Sequence, residues 1–191
     1  MAEPWGTDLT AWTLDGRVMH VTRPPLVSLI GLVMSHSPVD IVLRTLRDVE
    51  DQQFLYLEIM DPESPIATDL LQDIADALVA EWFDMPRWTV QEIWWRVLGS
   101  WSDVDGELTM RGVDLMSLSP PRATSTAKAL LLKWASMDKD RAEALQRDLT
   151  SEPLRIIRKR EEHADSPEAV EEAAFDWTAA MQLMKQHQGS T

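Results

Sequence analysis

From Val90, the apolar residues Ile93, Trp94, Val97, Leu98 and Trp101 follow at i+3, i+4, i+7, i+8 and i+11. This is the spacing of one stripe along an amphipathic helix. Five of the nine tryptophans (Trp82, Trp88, Trp94, Trp95 and Trp101) crowd into the same stretch. Tryptophan is large and carries one N–H that needs an acceptor when buried, so such crowding marks a rigid packing centre or an aromatic contact surface. The stripe takes Trp94 and Trp101 into a core. At about 100° per residue, Trp95 projects away from it, near Gln91, Glu92 and Gly99. Trp95, and Trp88 ahead of the stripe, therefore either find a second core contact or contribute to a partner surface. The pattern points to contact rather than catalysis.

The rest of the chain is organised around similar helical signals, so the expected fold is mainly α, a compact multi-helix domain with a small N-terminal β-hairpin. Ala11–Leu14 and Arg17–Val21 flank Asp15-Gly16, a two-residue connection suited to a type I′ turn. Pro24 or Pro25 opens a helix to about Ser35. Ser37-Pro38 and Ser64-Pro65 each pair an N-cap with a first-position proline. The second of these predicts a helix to about Phe83 with Ile66, Leu70, Ile74, Ala77 and Leu78 on its apolar side. Residues 51–60 fit a short helix or a strand. Thr89-x-x-Glu92 predicts a capping box for the tryptophan helix, Ser102–Glu107 a loop, Leu108–Gly112 one turn and Ser117–Pro121 a break. Further helices are expected over about 123–137 and, capped by Asp138, to about Leu149. A charged connector at 154–164 leads to a terminal helix opened by Ser166-Pro167. Three segments result: 1–23 with the hairpin, a helical core domain at 24–150, and 151–191 with the connector and terminal amphipathic helix.

Composition narrows the function classes. The hydrophobic content of 45% is that of a globular protein. LVSLIGLVM, the longest apolar run, is about half the ~18 residues a membrane span needs. No basic-then-apolar opening near Met1 suggests a secretory signal, so the cytoplasm is the expected location. The absence of cysteine removes disulfides, thiolate metal sites and a thiol nucleophile. Net charge is −14, and residues 1–100 hold 6 Arg, no Lys and 16 Asp/Glu. A phosphate backbone would be repelled by that half, so no nucleic acid partner is expected. The acidity suits attraction to a basic partner chain.

Candidate chemistry is sparse. Asp103-Val-Asp105-Gly106-Glu107 places its glycine too early for a calcium loop and has Asp114 where the twelfth-position Glu should stand; a turn is the better reading. Asp69, Asp73 and Asp76 share a face but lack an accompanying His, and predict a solvated acidic face. His20, His36, His163 and His187 are scattered, with no pair at zinc-ligand spacing. Phosphate-loop, dinucleotide and nucleophile-elbow motifs do not occur. The expectation is a protein with no catalytic residues, no metal and no cofactor. The terminal stripe of Val170, Ala173, Ala174, Trp177, Met181 and Met184 docks either on its own domain or on a partner in helix-in-groove fashion. Candidate partner-binding residues are thus Trp88, Trp95, Trp177, Met181 and Met184.

The order RWTVQEIWWRVLGSW, DVDGEL, RGVDLMSLSPPRAT and LLLKWASMDKD resembles tail assembly chaperones of long-tailed actinobacterial bacteriophages, over about residues 75–160. The opening WTLDGRVMHV is similar to the start of such proteins. The resemblance implies a small, mostly helical protein of the host-cell cytoplasm that keeps the tape-measure protein soluble and helps tail-tube protein polymerise around it. It also implies absence from the mature virion and, in many members, a longer frameshifted product. The family has no active-site residues to carry over. A homo-oligomer is compatible with this reading. The alternative is a structural head–tail connector or minor virion protein retained in a ring.

Overall fold

In the computed structural model, residues 10–158 are described, apart from 15, 63, 65 and 67. Among them are one two-stranded antiparallel sheet, eight α-helices and a 3-10 turn, a mainly α fold with a small hairpin. Strands β1 (Ala11–Leu14) and β2 (Arg17–His20) pair with Leu14 opposite Arg17. Gly16 in the connection has φ +79°, a conformation glycine reaches without a Cβ clash. Past β2, Val21 bridges to Leu46, and the Arg47 N–H donates to the His20 carbonyl at 2.8 Å. The hairpin is thereby fastened to the end of α2. Its Leu14, Met19 and Val21 enter the same hydrophobic core as the helices, so residues 10–23 share the core of the helical body. The compact unit runs from Met1 to Thr150, and Ser151–Thr191 forms a second. Of the second unit, only 151–158 is described; its backbone is helical over 154–158.

The first helices follow their local signals. Helix α1 (Leu26–Met34) starts after Pro25, and α2 (Pro38–Thr45) is capped by the Ser37 hydroxyl, which accepts the Asp40 N–H at 3.1 Å. Residues 51–60, compatible with helix or strand by pattern, belong to helix α3 (Val49–Met60). Helix α4 (Thr68–Phe83) begins later than the Ser64-Pro65 signal predicts and stops where Asp84 enters the left-handed region at φ +54°. Its buried residues include Leu71, Ala75, Leu78 and Trp82, whereas Leu70 and Ala77 are exposed. The inward stripe thus keeps Leu78 but is rotated from the expected set. Leu71, Ala75, Leu78 and Trp82 follow i, i+4, i+7, i+11, the spacing that best matches the helical period.

Helix α5 (Arg87–Gly99) occupies the middle of the bundle, touching α1, α4, α6 (Trp101–Met110), α7 (Pro120–Ala135) and α8 (Lys139–Thr150). Three expectations fail in this region. The capping box does not form: the helix starts at Arg87, and the Thr89 hydroxyl donates instead to the Leu149 carbonyl at 2.9 Å. The expected loop at 102–107 is helical, because α6 resumes almost directly after a break at Gly99-Ser100; Gly/Ser pairs are common sites of such breaks. Trp101 consequently opens α6 and is only partly buried, while Leu98 is 46% exposed, so the core stripe ends at Val97. A 3-10 turn at Leu115–Ser117 then leads into α7, which starts at Pro120, earlier than expected. The Asp138 carboxylate caps α8 by accepting the N–H groups of Asp140 and Arg141.

Candidate protein-docking groove

Val90, Ile93, Trp94 and Val97 of α5 are completely buried. The Trp94 indole N–H donates to Thr124 Oγ1 of α7 at 3.0 Å, and Gln91 Nε2 donates to the Val33 carbonyl of α1 at 3.0 Å. The Arg96 guanidinium meets Glu92 one turn back and Asp148 of α8, each at 2.6 Å. Helix α5 is therefore held from three sides, and whatever projects from its remaining face projects from a fixed support. That face carries Trp95, 62% exposed, with Leu98 one turn further on.

Trp95 and Leu98 form one wall of a cavity of about 850 Å³ between α5, α7 and α8. Met34 of α1, Leu131 and Trp134 of α7 and Leu145 of α8 add to its apolar lining, with Arg96, Arg141 and Asp148 supplying charge. The volume lies within the range of ligand-sized clefts. Its aromatic and aliphatic side chains are of the kind that bury well against another apolar surface.

Trp134 is held in place from the other side. Its indole N–H donates to Glu107 Oε2 at 2.5 Å, Lys133 Nζ reaches Glu107 Oε1 at 2.9 Å, and Arg111 pairs with the same carboxylate. The hydrogen bond from Lys133, reinforced by that from Trp134, holds the Glu107 carboxyl below its ordinary range. Trp134 also lines a second depression of about 490 Å³ beside Met110 and Arg111. Glu107, in the segment weighed as a calcium loop, is thus occupied with cations and an indole.

Of the sequence-derived candidates, Trp95 lies in the groove. Trp88 is partly buried and does not line it. Trp177, Met181 and Met184 lie outside the described residues. Leu98, which periodicity places in the core stripe, is instead exposed, and Trp134 is half-buried, lining the groove while packing against the core. The acidic face needs correction too. Asp76 is mostly buried and lies 2.7 Å from the buried Arg87 guanidinium, so it belongs to an interior ion pair. Asp69 and Asp73 are exposed. Among the described residues, no three His, Asp or Glu side chains converge as a metal site would require, and no helix is long and apolar enough to cross a membrane. No protein-family model matches the chain, and no curated protein or solved structure shows significant similarity to it.

Proposed function

We propose that this protein is a tail assembly chaperone of a long-tailed bacteriophage. In this reading it works in the host-cell cytoplasm, masks apolar stretches of the tape-measure protein and releases them as tail-tube protein assembles. The observation that carries the proposal is the Trp95–Leu98–Trp134 groove, an apolar surface presented by a helix whose opposite face is fully buried. Masking needs this arrangement: exposed aromatics give large contact area for little lost side-chain freedom, and a rigid support lowers the ordering cost of binding. No covalent step is involved, so the protein acts as a binding protein and not as an enzyme. The tape-measure protein as client is what the resemblance over residues 75–160 implies.

Co-expression with the tape-measure protein tests the reading. Replacing Trp95 with Ala should cut co-purification of the client by about tenfold or more, the loss usual for a central aromatic anchor. Mass spectrometry of purified virions should find the chain absent or nearly so. Recovery from virions at the copy number of a ring would replace the chaperone reading by that of a head–tail connector.

A further inference from the structure

Helix α3 carries a second apolar surface, and no α3 side chain lines the groove described above. Its inner face is fixed. Arg17 pairs with the buried Asp51 at 2.6 Å and lies 4.6 Å from the centre of the Phe54 ring, Gln52 Nε2 donates to the Leu46 carbonyl at 2.8 Å, and Leu55 is fully buried. On the opposite face stand Val49, Tyr56, Leu57 and Met60, each between 51% and 67% exposed. At about 100° per residue they fall within a single sector roughly 100° wide, broken only by Gln53. The stripe is about 16 Å long at 1.5 Å rise per residue. A solvated helix face is ordinarily polar, so four large apolar side chains in register are unusual.

The charge around this stripe selects the partner. From Asp48 to Asp61 the chain holds five acidic residues and neither Lys nor Arg, with Asp51 among them paired to Arg17. Exposed Asp48 and Glu50 sit at one end of the stripe and Asp61 at the other. A second copy laid symmetrically on α3 would bring two such stretches together, with like charges opposed. We propose that the Val49–Tyr56–Leu57–Met60 face docks a basic amphipathic helix of a partner protein, apolar side against the stripe and cations toward the acidic ends. The groove and this face are separate surfaces, so the proposal stands whether or not the groove binds a tape-measure protein.

The test titrates the full-length protein calorimetrically with an 18-residue amphipathic peptide of Leu and Lys, and with its Leu and Glu counterpart. The Leu/Lys peptide should bind and the Leu/Glu peptide should not. Leu57→Ser with Met60→Ser, and separately Asp48→Asn with Glu50→Gln, should each weaken binding by about tenfold, while Trp95→Ala leaves it unchanged. Circular dichroism of each variant, matching the parent, shows that the fold is kept. Failure of the Leu/Lys peptide to bind, or equal binding of both peptides, overturns the proposal. So does sensitivity to the acidic substitutions alone, which is diffuse charge attraction, or to the apolar ones alone, which removes the basic partner. A shift of the loss to Trp95→Ala places the peptide in the groove. Sedimentation of the unliganded protein as a dimer that Leu57→Ser with Met60→Ser dissolves assigns the face to a second copy.

Discussion

Trp94 is buried with its indole N–H bonded to Thr124, whereas its neighbour Trp95 is mostly exposed. Replacing Trp94 with Ala should cost about 3–5 kcal/mol, the usual range for deleting a large buried aromatic. Replacing Trp95 with Ala should change stability by no more than about 0.5 kcal/mol, as at other surface positions. Urea unfolding followed at constant m-value measures both, and equal losses would contradict the division of the two indoles between core and surface. That Trp95 leaves the stripe of Trp94 was legible in the sequence, because adjacent residues on a helix point about 100° apart; that it is exposed and not packed on a second core was not. The role of Asp76 was not. Periodicity within one helix groups it with Asp69 and Asp73, but its partner Arg87 lies beyond the Met85-Pro86 turn, where no single-helix pattern reaches. Truncating Arg87 to Ala should leave the buried Asp76 carboxylate without its ion pair and destabilise by about 3 kcal/mol or more, again read from urea unfolding.

Where elements begin and end depended on local chemistry that competes with itself. Ser37 and Asp138 cap the helices their positions predict, since each oxygen has free backbone N–H groups within two or three residues. Thr89 has the same chemistry but spends its hydroxyl on Leu149, sixty residues away, a contact only the folded bundle supplies. The Gly99-Ser100 break likewise leaves the sequence looking like one stripe ending at Trp101, followed by a polar loop, when a second helix resumes at once. That second helix brings Glu107 to Lys133 and Trp134 of α7, so the α6–α7 contact has a titratable component. The folded-state pKa of Glu107 is lowered, so its contribution is present above the unfolded carboxylate pKa and is lost as pH falls through the lower folded value. Glu107→Gln should therefore destabilise the protein at pH 7. The gap between variant and parent should narrow below about pH 4, where carboxylates protonate. Chemical unfolding at the two pH values checks this; a gap that widens in acid would remove the charged carboxylate from the contact.

At the scale of the whole molecule, the buried hydrophobic residues among those described run from Leu14 to Leu149, and the first compact unit ends at Thr150. The hairpin and α8 both contribute to that core, through Met19 at one end of the sequence and Leu145 and Leu149 at the other. A chain cut after Thr150 keeps all of these side chains, together with Trp95, Leu98, Trp134 and the α3 stripe. It should therefore unfold in one cooperative transition, with its midpoint within about 2–4 °C of the full chain, the shift that 1 kcal/mol produces in a domain of this size. Calorimetry of the two proteins side by side measures it, and a broad or missing transition in the shorter chain would show that residues 151–191 are needed to complete the fold. The same pair of proteins divides the proposed client contact. If the groove supplies the main anchor, the 1–150 chain retains most of the co-purification with the tape-measure protein, and Trp95→Ala within it removes what remains. If Trp177, Met181 and Met184 dominate instead, the cut alone abolishes co-purification while the melting transition stays in place. Folding and binding are then read from separate measurements on one truncation, and a loss of either is not mistaken for a loss of the other.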